Sequence, residues 1–206
     1  MVPGAQVDVD EVWQHGLRTV DELGAEAVES LVDVADEASA GRLTAAGFVA
    51  GDRSGSMRGT PSDLEPVRDL PDGYVLVDRS ARPRDPHPMV SRNGPDVAER
   101  LARCSLYDPG LDLAVLASDG SVAGYALCWG DPVTRIGLVE PVRVEDEHAG
   151  RGLAKAMVGA GLRRLADRGA TSLRIGWQSE QAHGLYRSLG LRDEVEQVTY
   201  RRESAG

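Results

Sequence analysis

The 206 residues are enough for one sizeable domain and something smaller, and a composition 41% hydrophobic and 27% charged is that of a globular protein. No apolar run is long enough to span a bilayer, MVPGAQVDVD has neither the basic start nor the apolar stretch of a signal peptide, and no basic, aromatic-interleaved stripe points to nucleic acid. The net charge of −10 is concentrated in residues 1–50, where ten acidic residues face two arginines, so it says little about chemistry further along. These features lead us to expect a cytoplasmic protein with no membrane and no nucleic-acid partner. Cys104 and Cys128 have no metal or redox spacing and read as buried thiols, and no metal site is expected.

In chain order, GLRTVDELGA at 16–25 and DEASAGRLTAAGF at 36–48 are amphipathic segments that echo GLRRLADRGA at 161–170 and SEQAHGLYRSLGL at 179–191. Order and spacing both hold to within two residues. Residues 1–60 are therefore expected to form a truncated half-repeat, helix–strand–helix–strand, with a linker at 61–71 and the main domain at 72–206. In the first copy Leu43 stands where the second has Tyr186, and no Gly-X-Gly precedes the helix. From residue 72, DGYVLVDR predicts a strand, SARPRDPHP an extended connector, and DVAERLARCSL a short helix after Pro95. LDLAVLA and SVAGYALCW flank a Ser118-Asp119-Gly120 hairpin turn, and RIGLVEPVRV is the next strand.

Then comes EDEHAGRGLAKAMV at 145–158. Two glycines at a helix start are costly, which suggests either a plain connector or a cradle of backbone N–H groups for an anion at the positive end of the helix. The helix itself is marked by Leu153, Met157 and Gly161 with Val158, Leu162 and Leu165 alongside, and it ends at Arg168-Gly169. SLRIGW is a strand. Ala182, Leu185, Tyr186 and Leu189 make a helical stripe ending at Gly190, and VEQVTYR closes the domain as a strand. The sum is an α/β fold, a mixed and mostly antiparallel sheet with helices on both faces. A dinucleotide fingerprint would need glycine where Lys155 stands, and a P-loop would need Gly-Lys-Ser/Thr, so both are excluded.

AGRGLA at 149–154 resembles the Q/R-x-x-G-x-G/A loop of the GNAT superfamily of acyl-CoA N-acyltransferases, and SEQAHGLYRSLGL resembles its N-x-x-A-x-x-L-Y-x-x-x-G-F motif. The resemblance covers about residues 72–203, and the N-terminal echo resembles the back half of a second, truncated copy. It implies that the pyrophosphate of acetyl-CoA lies on Ala149, Gly150, Arg151, Gly152, Leu153, Ala154 and Lys155, with Ser179 also on the cofactor side. The pantetheine arm would pair beside Val142, Arg143 and Val144, where a backbone N–H supplies oxyanion stabilisation. Tyr186 would be the general acid for the departing sulfur, although its place on an apolar stripe also fits a plain core tyrosine. Glu140 would be the base, directly or through water, unless it is a solvated or ion-paired strand residue. Glu145 and Asp146 are weaker alternatives, and His183 reads as a surface residue.

The implied function is an acyl-CoA-dependent N-acetyltransferase acting on a primary amine of a small molecule or peptide. Ala149 replaces the motif's Gln or Arg, Ser179 its Asn and Leu191 its Phe, which keeps two alternatives open. One is a weakly catalytic CoA-binding scaffold, and the other is different acyl-CoA chemistry on the same fold. The N-terminal half-repeat is expected either to mediate a homodimer or to pack on the catalytic domain.

Overall fold

The computed structural model describes residues 8–24, 26–66 and 69–203. In chain order the elements are α1 (Val9–Glu22), β1 (Ala27–Asp33), α2 (Glu37–Ala45), β2 (Val49–Gly59), β3 (Tyr74–Asp78), α3 (Val90–Asn93), α4 (Val97–Ala102), β4 (Asp112–Ala117), β5 (Val122–Asp131), β6 (Ile136–Val144), α5 (Leu153–Asp167), β7 (Ser172–Trp177), α6 (Glu180–Arg187) and β8 (Arg192–Glu203). The chain divides into two compact units. One holds the residues up to Ser54 together with those from Glu196 onward, and the other runs from Gly55 to Val195.

In the larger unit the strand order is β2-β7-β6-β5-β4-β3. β6 pairs with β7 in parallel, and the other pairings are antiparallel. The mixed sheet predicted from the sequence is thus present. α5 covers one face. A Cβ at Gly161 would come 2.6 Å from the Cys128 sulfur and 3.5 Å from Leu113 Cδ1, so the absence of a side chain at 161 lets the helix lie against β4 and β5. Its apolar stripe (Leu153, Met157, Val158, Leu162, Leu165) is fully buried with Leu173, Ile175 and Val139, each side chain contributing roughly 1.5–3 kcal/mol. Side chains alternate across a strand, so Tyr125 faces the other way, where Met89, Val90, Val97 and Leu101 from the α3–α4 region cover it.

Two features differ from the sequence reading. The helix expected after Pro95 is preceded by a short extra one, α3, which stops at Gly94 (φ 89°) ahead of the proline. β2, which falls within the segment 1–60 expected as a half-repeat, is the neighbour of β7, through Gly55↔Trp177 to Gly59↔Leu173. The larger unit therefore begins inside the segment expected to belong to the half-repeat. The 61–71 region is also no free tether in its described part, since Leu64 and Leu70 pack on the core and the Glu65 N–H donates to the Leu189 carbonyl (3.2 Å). Strand pairing of this kind joins residues about 120 positions apart in the chain, beyond the reach of local periodicity.

The smaller unit has strand order β1-β8-β2, and β1 pairs antiparallel with β8 from Ala27↔Glu203 to Asp33↔Gln197. Val32, Leu43 and Phe48 form its core, with Trp13, Leu17, Val28 and Tyr200 packed against them. Arg202 stacks on the Phe48 ring at 4.9 Å and Arg53 pairs with Glu196 (2.5 Å).

Candidate active site

The site begins where β6 and β7 part. Their parallel pairing runs from Ile136↔Ser172 to Val139↔Ile175 and stops. On the other edge, Cys128 pairs with Val139 and Ala126 with Val142, so β6 carries an extra residue at Glu140–Pro141. A bulge bends its strand and re-aims the residues beyond the bend. Past it, Val142, Arg143 and Val144 stay paired to Ala126, Tyr125 and Gly124, while their β7-side edge has no strand partner among the described residues. That edge offers backbone groups to an extended ligand.

After β6, a helical turn (Asp146–His148) leads through Ala149 to Gly150 (φ 74°) and Gly152 (φ 79°), the cap of α5. Both glycines lie in the left-handed region that other residues disfavour. The first turn of a helix has no intrahelical acceptors for its N–H groups, and α5 has no side-chain cap to satisfy them. The first intrahelical bond is Ala156 N–H to the Gly152 carbonyl (3.2 Å). The free donors belong to Leu153, Ala154 and Lys155. Leu153 anchors the turn by burial, Lys155 is half-buried, and Arg151 is exposed with a 3.4 Å contact from its guanidinium to the Glu147 carbonyl. Free N–H groups at the positive end of a helix are a general anion-binding arrangement.

Tyr186 lies on α6, directly after β7. Its ring is 6% exposed, and its hydroxyl has no hydrogen-bond partner among the described residues. Burial pushes its pKa up, so the proton is held firmly at neutral pH. Ser179 caps α6, its hydroxyl accepting from the Ala182 N–H (3.2 Å). Glu140 sits on the bulge with an exposed side chain, and its backbone carbonyl accepts from the Trp129 indole (2.8 Å).

The remaining acidic candidates separate clearly. Glu145 forms two parallel bonds with Arg92 (3.0 Å each) and lies 3.6 Å from Arg143 Nε. The hydrogen bond from Arg92, with the charges of Arg92 and Arg143, holds its carboxyl below the usual range, which makes Glu145 a poor base. Asp146 is almost fully exposed and 3.4 Å from Arg143. Arg92 was invisible in the sequence because no periodicity marks the 80–95 segment. His183, read as a surface residue, is instead stacked on Trp177 (ring centroids 4.6 Å) and bonded to Asp193 (2.5 Å). His148 is turned toward β3, where the Tyr74 hydroxyl meets its Nδ1 at 2.9 Å.

A sheet opening at a parallel pair, with an uncapped, glycine-flanked helix start on one strand and a buried tyrosine following the other, defines the N-acyltransferase fold of the GNAT type. Residues 77–191, more than half of the chain, match the model of the acetyltransferase (GNAT) family. The chain belongs to that family. It is 32% identical to a mycothiol acetyltransferase of Tsukamurella paurometabola, across 86% of this chain and 72% of that protein. It is 31% identical to one of Clavibacter michiganensis subsp. michiganensis, across 93% of this chain and 61% of that protein. Among solved structures it resembles a GCN5-related N-acetyltransferase from Sphaerobacter thermophilus (TM-score 0.74, 19% identity, 94% of this chain and 67% of that one). It also resembles a tandem GNAT protein from the clavulanic acid biosynthesis pathway (TM-score 0.67, 16% identity, 99% and 73%). At those identities the structural likeness concerns the fold.

Proposed function

We propose that this acetyltransferase moves an acetyl group from acetyl-CoA to a primary amine of a small molecule or peptide, with Tyr186 as general acid and Glu140 as base. The observation that carries the reading is the end of β6–β7 pairing at Val139↔Ile175, at the bulge that bears Glu140. It leaves an unpaired strand edge between the α5 loop and the helix of Tyr186. Acetyl-CoA, when bound, supplies the thioester that the amine attacks. The first-turn N–H groups of α5 fit its diphosphate, and the free edge of Val142, Arg143 and Val144 fits an extended arm lying beside it. Residues 149–155 hold that end of the site, with Ser179 at the start of α6.

The amine reaches the site as an ammonium with a pKa of about 10 and must lose its proton before its lone pair can act. The exposed Glu140 carboxylate is open to solvent and takes that proton directly or through a water. A carbon–nitrogen bond forms as the carbon–sulfur bond breaks, and the Tyr186 Oη gives its proton to the leaving sulfur. Backbone N–H groups past the bulge stabilise the charge on the carbonyl oxygen. The names of the two curated relatives make a mycothiol-type acceptor the first to assay. The resemblance of residues 1–60 to a GNAT half-repeat, and an interface role for them, belong to the same proposal.

Calorimetric titration with acetyl-CoA and an assay of amine-dependent CoA release test it. Saturable binding and amine-dependent release are expected. Binding without turnover over an amine panel would make the protein a CoA-binding scaffold, and release without any amine would point to other acyl-CoA chemistry.

A further inference from the structure

The connector 79–88 arches over the face of β3 and β4 opposite α5 and leaves a cavity of 310 Å³. Val77, Ala114, Leu116 and Val122 form its apolar floor, and Pro86 and Pro88 belong to the arch. At one end stands Asp112, whose side chain is only 5% exposed. Its Oδ2 accepts from His87 Nε2 (2.9 Å) and from the Tyr107 hydroxyl (2.7 Å). The Met89 N–H donates to His87 Nδ1 (3.1 Å), which leaves Nε2 as the ring's donor to Asp112. The Asp112 Oδ1 has no partner among the described residues and is the oxygen left for the cavity.

Arg79 lies directly across from Asp112, its N–H donating to the Asp112 carbonyl (3.0 Å) one step beyond the Asp78↔Leu113 pair. Cross-strand neighbours share a face with Cβ atoms about 5 Å apart. Arg79 also lines the cavity, and its one side-chain bond among the described residues is 3.4 Å to the Pro83 carbonyl. The other charges are committed: Arg82 to Asp85 (3.0 Å) and Asp78 to Arg164 (2.6 Å). An unpartnered carboxylate oxygen and an arginine on the same face of the neighbouring strand, its guanidinium held by a single 3.4 Å contact, thus border one apolar floor.

We propose that this cavity binds a small zwitterion of the apolar α-amino-acid class, with its ammonium on Asp112 Oδ1, its carboxylate on Arg79 and its side chain on the floor. The site is separate from the candidate active site. Asp112 pairs with Leu127 of β5, the strand that stands between it and the Glu140 bulge on β6. The proposal does not depend on the acetyl-transfer reading.

The test is calorimetric titration of the full chain, without acetyl-CoA, with L-leucine, 4-methylpentanoate and 3-methylbutylamine. Leucine is expected to saturate the protein, and each analogue, lacking one charge, to bind at least about tenfold more weakly. Arg79→Gln should weaken leucine by a similar factor and leave the amine unchanged, and Ala114→Leu should abolish all three by filling the floor. The analogue series on the unaltered chain decides the matter even if a variant fails to fold. Absence of leucine binding, equal binding of leucine and the plain amine, or unchanged binding in both folded variants would each overturn the assignment.

Discussion

The two compact units run the same local plan to opposite chemical ends. In the larger, α5–β7–α6 leads into β8; in the smaller, α1–β1–α2 leads into β2. The correspondence reaches single bonds. Ser179 caps α6 through the Ala182 N–H, and Asp36 caps α2 through the Ser39 N–H, both three residues on. Each short helix ends in a left-handed glycine, Gly190 (φ 95°) and Gly47 (φ 84°), and the next residue's N–H returns to the carbonyl of Tyr186 or Leu43. Two sites differ. The buried tyrosine of one unit is a buried leucine in the other, and the long helices begin differently. Asp8 turns its own carboxylate onto the N–H groups of Asp10 and Glu11, whereas Gly152 leaves those of α5 free. A helix capped by its own carboxylate has fewer free donors for an outside anion and repels it by charge. The two units thus share a local backbone plan and differ at the two positions where the proposed site of the larger one lies.

The largest expected effect breaks the comparison at Tyr186. Tyr186→Phe should lower kcat by about 10²–10⁴-fold, the usual worth of a positioned acid, while unfolding temperature and acetyl-CoA affinity stay close to the parent. Leu43→Tyr in the other unit should give no activity of its own. If Tyr186→Phe kept full kcat in a steady-state assay, the tyrosine would be a core residue and nothing more. Next come the matched glycines. A Cβ at Gly190 would lie 1.8 Å from the Asp63 carbonyl oxygen, while one at Gly47 would meet only Arg202 Cδ at 3.8 Å. Gly190→Ala should cost more than about 3 kcal/mol and Gly47→Ala about 1 kcal/mol by denaturant unfolding. Equal costs would show that backbone angle, not crowding, governs both.

How far these features were legible depends on the distance over which they act. The α5 stripe, the hairpin at Ser118-Asp119-Gly120 and the Gly150/Gly152 loop are local, and their residues announce them. Tyr186 was found through the motif around it, since its apolar stripe alone also suited a core residue. β2 beside β7, Arg92 on Glu145, and His87 on Asp112 are pairings between remote segments. Asp112 lies within the predicted strand LDLAVLA, and only the fold reveals it as a buried carboxyl. Glu140 was chosen by strand position, and the bulge that makes the position special has no sequence signature.

A third test exchanges the helix starts. Gly152→Asp puts a carboxylate at the mouth of α5, where aspartate tolerates the left-handed backbone better than most residues do. Acetyl-CoA affinity should fall by roughly tenfold or more from repulsion of the diphosphate. The converse, Asp8→Gly, should cost α1 only a few tenths of a kcal/mol and create no acetyl-CoA site. Unchanged affinity in a folded Gly152→Asp protein would remove the α5 start from the proposed site.

The smallest effect concerns Glu145, which ties α3 to the exit of β6 and has no counterpart in the smaller unit. Both partners are partly solvated (Arg92 40% and Glu145 30% exposed), so Glu145→Gln should cost no more than about 1 kcal/mol near neutral pH. The sign of its pH dependence is fixed. A carboxyl held below its unfolded value adds stability that is fully present above that value and disappears as pH falls through the folded one. Parent and variant should therefore differ near neutral pH and converge in acid, below the folded-state value. Urea midpoints at both pH values decide it: a gap that persists in acid would mean that Glu145 works by packing, and α3 would then be held by the Met89–Val97–Tyr125 cluster without help from the ion pair.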